Sequence, residues 1–169
     1  MYFNKEIETM PLNKMRELQL ERLKWAISHA YNNNAFYRKK YDDAGFHPDQ
    51  FKSLDDMKRV PFLTKQDMRN NYPFGLFAVP MEKVVRVHSS SGTTGNATVV
   101  GYTKKDVGIF AEVVARCLAA YGATEKDVLQ VAYGYGLFTG GLGLHYGGEL
   151  LGALTVPISG GNTDRQLML

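Results

Sequence analysis

Apolar residues recur in the first part of the chain at the spacing of an amphipathic helix. Pro11 suits the first turn of such a helix. The apolar positions that follow, at intervals of three to five, are Met15, Leu18, Leu23, Ile27 and Ala30. The turn-forming segment YNNN at 31–34 ends the pattern. The sequence therefore predicts a long helix with one apolar stripe.

Three more short helices are predicted before residue 80. The segment AFYRKKYDDAG has the composition of a helix closed by Gly45. Ser53–Asp56 and Thr64–Asp67 each match the capping pattern S/T-x-x-D/E, which predicts that LDDMKR and KQDMRNN are helical. We therefore expect residues 1–80 to form a mainly helical segment.

Strands and helices alternate after that point. The predicted strands are KVVRVH (83–88), TVVGY (98–102), DVLQVAY (127–133) and LTVPI (154–158). The predicted helices run from the Thr103–Asp106 capping pattern to about Tyr121, over the glycine-rich residues 140–153, and onward from Thr163. A strand, a helix and a strand joined by short connections imply a parallel β-α-β unit. The predicted class is α/β, with residues 81–169 as the sheet-containing segment.

Composition excludes several functional classes. The chain has 169 residues, 44% of them hydrophobic and 22% charged, which is ordinary for a soluble globular protein. Its net charge of +3 is too small to indicate nucleic-acid binding. The weakly polar stretch at 134–158 is interrupted by His145 and Glu149, so no membrane span is expected.

A single cysteine, Cys117, lies within the apolar helical pattern IFAEVVARCLAAY. We predict that its thiol is buried and inert. One cysteine allows no disulfide within the chain, and the N-terminus has no apolar signal core, so we expect a cytoplasmic protein.

Small polar and flexible residues are concentrated between two predicted strands, in SSSGTTGNATVVGY at 89–102. Serine and threonine hydroxyls donate hydrogen bonds, and glycine permits a positive φ that turns backbone N–H groups inward. Such a cage suits a phosphate, although the segment lacks the G-K-[ST] ending of a Walker A loop. The segment GYGLFTG at 134–140 also departs from the dinucleotide-binding spacing. Composition alone leaves a phosphate loop and a flexible hairpin equally open.

The segment SSSGTTGNATVVGYT resembles the phosphate-binding motif of the adenylate-forming superfamily of acyl-CoA synthetases, peptide-synthetase adenylation domains and luciferases. Further segments are similar to the phenylacetate–coenzyme A ligases of that superfamily. They are LQLERLKWAISHAY, FYRKKYDDAG, PFLTKQDMRNNYPFGLFAVP, VVRVHSSSGTTG, AYGYGLFTGGLGLHYGGELLGA and PISGGNTDRQ. The phosphate motif points only to the superfamily, whereas the tyrosine–glycine segment and SGGNT are much more specific.

The resemblance implies part of the large N-terminal domain of an acyl-adenylate-forming enzyme. Its reaction joins a small aromatic carboxylic acid to coenzyme A with ATP and Mg²⁺. The implied ATP phosphate-binding residues are Ser89, Ser90, Ser91, Gly92, Thr93, Thr94 and Gly95. The implied acid-binding residues are Tyr135, Gly136, Phe138, Gly140 and Gly141. No catalytic residue and no metal ligand is expected within the chain.

The chain departs from the ligase pattern just after the phosphate motif. Phenylacetate ligases often have Lys-Pro-Thr there, whereas this chain has Asn96, Ala97 and Thr98. A lysine contact with pyrophosphate is therefore not carried over to this chain.

Several residues allow two interpretations. The aromatic residues of AYGYGLF (132–138) can line an acid pocket or belong to the core, and SGGNT at 159–163 can line the site or cap the next helix. His88 is interpreted as a brace for the neighbouring loop. His145 is interpreted as a hydrogen-bonded packing residue, and Glu149, one turn later, as its structural partner.

The chain ends inside its last predicted helix, so we expect the N-terminal part of a longer ligase that is inactive by itself. The alternative is a binding or dimerisation module without catalysis, in which Trp25 and the apolar stripe serve a partner or a homodimer.

Overall fold

The computed structural model of the chain describes residues 1–90, 97–161 and 163–169. The α-helices are α1 (Lys5–Glu8), α2 (Leu12–Asn33), α3 (Ala35–Asp43), α4 (Lys65–Asn70), α5 (Lys104–Ala120), α6 (Thr139–Leu151) and α7 (Thr163–Met168). Short 3₁₀ helices span Pro48–Gln50, Leu54–Arg59 and Met81–Lys83. The strands are β1 (Val84–Ser89), β2 (Val99–Thr103), β3 (Val128–Gln130) and β4 (Leu154–Val156). The helices predicted from residue 11 onward are present, with LDDMKR in the 3₁₀ form, and α1 was not predicted.

The junction between α2 and α3 depends on Asn34. Its side-chain oxygen accepts hydrogen bonds from the backbone N–H groups of Phe36 and Tyr37, which caps α3. Its side-chain nitrogen donates to the carbonyls of Gly75 (2.9 Å) and Phe77 (3.0 Å). This buried asparagine therefore joins the helical hairpin to the segment that precedes the first sheet.

The helical segment has its own aromatic core. The buried members are Ile27, Tyr41, Phe46 and Phe51. Leu20, Leu23, Tyr31, Tyr37 and Val60 pack around them. The predicted stripe on α2 is thus only partly correct, because Ile27 is its single buried member and the rest of the stripe is half-buried.

Strands β1 and β2 form an antiparallel hairpin in which His88 pairs with Val100 and Ser89 with Val99. Both strands lie within one residue of their predicted bounds. Residue 101 must be small, because a Cβ on Gly101 would lie 2.6 Å from Cε2 of Phe77. The hairpin therefore packs directly against the segment that Asn34 anchors.

Strands β3 and β4 are parallel, with Leu129 opposite Thr155, and α6 connects them. This confirms the predicted β-α-β unit and the α/β class. Both strands end earlier than predicted. The prediction extended β4 across Pro157, which has no N–H for the ladder.

The glycine content of α6 is explained by its position between α5 and the parallel sheet. A Cβ on Gly143 would lie 2.8 Å from Cζ of Phe110 on α5. On the sheet side, a Cβ on Gly148 would lie 2.6 Å from Oγ1 of Thr155. Missing side chains thus let the α6 backbone approach both neighbours.

The prediction for Cys117 is wrong, because this thiol is exposed. The buried face of α5 includes Ala115 and Ala119, four residues apart. Cys117 lies two positions from each of them, about 200° around the helix, and so points to the opposite side.

None of the described helices is long and apolar enough to cross a membrane.

Candidate functional site

The base of the predicted phosphate loop is closed by Ser90 and Thr98. The N–H of Ser90 donates to the carbonyl of Thr98, and the N–H of Thr98 donates to the hydroxyl of Ser90, both at 2.9 Å. The remaining predicted phosphate ligands, Ser91, Gly92, Thr93, Thr94 and Gly95, lie outside the described residues, as does Asn96. Their role in phosphate binding stays a prediction.

The end of β1 meets the predicted acid-binding segment at one backbone carbonyl. The N–H of Ser89 donates to the carbonyl oxygen of Leu137 at 2.8 Å. Nδ1 of His88 lies 3.0 Å from the same oxygen. The structure therefore brings the first predicted ATP-binding residue and the residue between Gly136 and Phe138 into direct contact.

His88 is buried, with 1% of its surface exposed. A carbonyl oxygen can only accept a hydrogen bond, so Nδ1 carries the proton that His88 donates to Leu137. Within the described part of the chain, Nε2 is buried without a hydrogen-bond partner. The imidazole also packs edge-on against Tyr102, with ring centroids 5.3 Å apart.

A second hydrogen-bonded group links the acid-binding segment to α6. The hydroxyl of Tyr135 lies 3.3 Å from Nδ1 of His145, and Nε2 of His145 lies 3.2 Å from Oε1 of Glu149. The carboxylate accepts from Nε2–H, which leaves Nδ1 to accept from the tyrosine hydroxyl. The predicted His145–Glu149 pair is therefore present.

Burial, together with the nearby charge of Glu149, raises the pKa of the Tyr135 hydroxyl above its ordinary value. Tyr135 is therefore neutral at physiological pH and can serve as the hydrogen-bond donor in this group.

The glycines of the acid-binding segment fall into two groups. A Cβ on Gly140 would lie 2.9 Å from Cε1 of Tyr133, and a Cβ on Gly141 would lie 2.6 Å from the carbonyl oxygen of Gly134. These contacts give Gly140 and Gly141 a packing role within the chain. A Cβ on Gly136, in contrast, would meet open space.

The loops that follow β3 and β4 meet each other. The N–H of Ser159 donates to the carbonyl of Val131 at 3.0 Å, and a Cβ on Gly160 would lie 3.6 Å from the backbone nitrogen of Gly134. Ligands of α/β proteins commonly bind outside the carboxyl ends of parallel strands, where these loops lie. Asn162 of the SGGNT segment is outside the described residues.

Sequence reasoning did not find two features of this region. The Leu137 carbonyl has no sequence signal, because every residue has one. Gln166 donates to the carbonyls of Ser159 (3.2 Å) and Gly161 (2.8 Å). A glutamine on a short helix gives no sequence signal for such a contact. In the described ranges, no three histidine, cysteine or acidic side chains are grouped to hold a metal ion.

No protein-family model matches the chain. It is 58% identical over 163 residues to a phenylacetate-coenzyme A ligase of Escherichia coli, covering 96% of this chain and 37% of that protein. It is 59% identical over 169 residues to a phenylacetate-coenzyme A ligase of Thermus thermophilus, covering 100% of this chain and 38% of that protein. The chain therefore spans less than two fifths of the length of these relatives.

Solved structures of a 2-hydroxyisobutyryl-CoA ligase have the same fold over this region. An open conformation, in complex with 2-HIB-AMP and CoA, has a TM-score of 0.90 and 32% identity, covering 99% of this chain and 40% of that chain. The structure in the thioesterification state has a TM-score of 0.91 and 34% identity, covering 99% and 37% of the two chains.

Over its whole length the chain is similar in fold and sequence to part of a solved acyl-CoA ligase that binds an acyl-AMP and CoA. Within that class, the chain is a relative of the phenylacetate-coenzyme A ligases, which confirms the resemblance found in its sequence.

Proposed function

We propose that this chain supplies the phosphate-binding segment and part of the acid-binding wall of an AMP-forming ligase for small aromatic acids. The observation that carries the proposal is the meeting of the two predicted segments at the Leu137 carbonyl. ATP phosphates and a carboxylate must lie side by side in such a reaction, and the hydrogen bond from Ser89 to Leu137 supports that arrangement. The relatives' names point to phenylacetate and coenzyme A as substrates, and the acyl-AMP in the similar solved structures points to ATP. We place the reaction in the cytoplasm.

The proposed reaction has two steps. A carboxylate oxygen attacks the α-phosphorus of ATP, which forms an acyl-adenylate and releases pyrophosphate. The thiol of coenzyme A then attacks the acyl carbon and displaces AMP. Both steps require positioning and charge stabilisation more than a protein nucleophile.

The residues of this chain suit those requirements. Hydroxyls and N–H groups of residues 89–95 would donate hydrogen bonds to the phosphates. Mg²⁺ bound to the nucleotide would screen their charge. The ring of Tyr135, fixed through His145, and the half-exposed Phe138 would form the wall against which the acid's aromatic ring packs.

The first experiment is phenylacetate-dependent exchange of pyrophosphate into ATP, measured on the complete reading frame that contains this chain. We expect exchange above the acid-free background from the complete protein and none from the 169-residue chain alone. No exchange from the complete protein would overturn the ligase proposal in favour of a binding or dimerisation module. Exchange from the shorter chain would show that the adenylation site is complete within it.

A matched pair of variants tests the acid-binding wall. Tyr135→Phe keeps the ring and removes the hydroxyl that contacts His145. We expect the KM for phenylacetate to rise about fivefold, since one hydrogen bond contributes about 1 kcal/mol. Tyr133→Phe is the control, and equal effects of the two substitutions would show that the Tyr135–His145 hydrogen bond does not position the proposed wall.

A further inference from the structure

We propose that His88 is a positioning residue that couples occupancy of the ATP side of the site to occupancy of the acid side. This inference rests on the function proposed above. Its physical basis is the shared Leu137 carbonyl, which accepts from Ser89 N–H at 2.8 Å and from His88 Nδ1–H at 3.0 Å. A change in the position of the β1 end therefore reaches Leu137, which lies between Gly136 and Phe138, through this carbonyl.

The chemistry of His88 indicates that its donor function, and not its volume, is what this position uses. The side chain is 1% exposed, and its Nε2 has no hydrogen-bond partner among the described residues. A buried polar atom without a partner is unfavourable, and a phenylalanine ring would fill the space without it. The hydrogen bond from Nδ1–H to Leu137 is the only one that the imidazole makes within the described part of the chain.

The ring of His88 packs against neighbouring side chains, so its hydrogen bond to Leu137 cannot shift independently of them. Its ring is edge-on to Tyr102, which stacks on Phe110 with ring centroids 5.9 Å apart. Phe110 in turn occupies the space beside Gly143 of α6. On the same strand, the guanidinium of Arg86 lies 4.4 Å from the ring centroid of Tyr146, also on α6. The β1 end, α5 and α6 thus form one packed frame around the hydrogen bond.

The expected consequence is a coupling between the two ligands. A coupled pair of sites commonly changes affinity by a factor of about 5 to 150. A nucleotide that contacts the β1 end would shift this frame as a unit, and the shared Leu137 carbonyl would move the acid-binding segment into the position that the acid favours. The acid should therefore bind about tenfold more tightly to the nucleotide-bound protein.

The test measures phenylacetate binding by calorimetry on the complete protein, with and without an ATP analogue whose methylene bridge between the α and β phosphorus atoms prevents adenylation. His88→Phe keeps a ring and removes the donor, and His88→Asn keeps a donor near the Nδ1 position. We expect the coupling factor to fall to about 1 in His88→Phe and to be largely retained in His88→Asn, while each ligand still binds alone.

Wild-type coupling in His88→Phe would overturn the inference. If that variant does not fold, His88→Gln replaces it, since glutamine moves the donor to the Nε2 position, and coupling equal to that of His88→Asn would overturn the inference. A wild-type protein that binds both ligands without coupling would contradict this inference alone. Absence of binding of either ligand would contradict both the proposed function and the inference.

Discussion

The aromatic cluster of the helical segment and the contact between α5 and α6 stabilise the chain by different means. In the cluster, large side chains such as Tyr41, Phe46 and Phe51 fill the space between helices. In the α5–α6 contact, glycines at 143 and 147 leave the space that Phe110 and Val114 occupy. The aromatic cluster therefore depends on large side chains, whereas the α5–α6 contact depends on glycines that have no side chain.

This difference determines which substitutions each region tolerates. A cluster of large side chains is damaged when atoms are removed, because the cavity that remains cannot fully collapse. A contact made by backbone approach is damaged when atoms are added, because the neighbouring backbone must move. The proposed site lies at the second kind of region, where the acid-binding segment leads into α6.

The largest expected effect comes from removing volume in the helical cluster. Phe51 is 1% exposed, and Phe51→Ala should lower the free energy of unfolding by about 3–5 kcal/mol. The control is Phe62→Ala, since Phe62 is 88% exposed and its loss should change stability by no more than about 0.5 kcal/mol. Denaturant unfolding of both variants measures the contrast, and similar costs would contradict the assigned core.

The next effect comes from adding one methyl group to the glycine contact. A Cβ on Gly147 would lie 2.6 Å from Cβ of Val114 and 3.2 Å from the backbone nitrogen of Ala115. Gly147→Ala should therefore destabilise the protein by about 1–3 kcal/mol despite the better helix propensity of alanine.

Gly108→Ala on α5 is the matched control for that substitution. A Cβ there meets nothing within 4 Å, so the change should be stabilising by up to about 1 kcal/mol. The same substitution should thus have opposite effects on stability at two helical glycines, as measured by the shift in thermal midpoint. Stabilisation by both would disprove the close approach of α5 and α6.

The sequence predicted much of this architecture because its signals are local. The capping patterns at Thr64–Asp67 and Thr103–Asp106 fix helix starts within a few residues of themselves, and both caps are present. The parallel β-α-β unit also followed from local element order and connection length. Burial was harder, because it depends on neighbours that are distant in sequence. Cys117 was misassigned since an apolar helix shows which residues are hydrophobic but not which face is covered.

The candidate site likewise contains some features that the sequence predicts and others that it does not. The His145–Glu149 pair was predictable from helical spacing, whereas the contact of Tyr135 with His145 depends on how the segment before α6 folds back. The Leu137 carbonyl was not predictable, because a backbone acceptor leaves no trace in the side-chain pattern. Only the three-dimensional arrangement shows that the two predicted ligand segments share it.

The last prediction compares how the helical segment and the α5–α6 contact respond to low pH. Asp67 accepts hydrogen bonds from Lys40 Nζ (2.8 Å), the N–H of Thr64 (2.7 Å) and its hydroxyl (2.8 Å). The Lys40 hydrogen bond, followed by those from Thr64, lowers the pKa of Asp67 from 3.8 to about 2. A lowered pKa in the folded state means that the ionised carboxylate stabilises the fold above pH 3.8, and that this stabilisation is lost as the pH falls towards 2.

Asp67→Asn should accordingly lower the thermal midpoint at pH 7, and its difference from wild type should shrink as the pH falls from about 4 to 2. Asp55→Asn, at an exposed carboxylate of the 3₁₀ helix Leu54–Arg59, should give a small difference throughout. Because Lys40 and Asp67 join α3 to α4, acid should increase amide hydrogen exchange there before it does so in α5 and α6. A difference that is constant with pH would show that ionisation of Asp67 does not contribute to stability. Simultaneous exchange in both regions would show that they unfold as one unit.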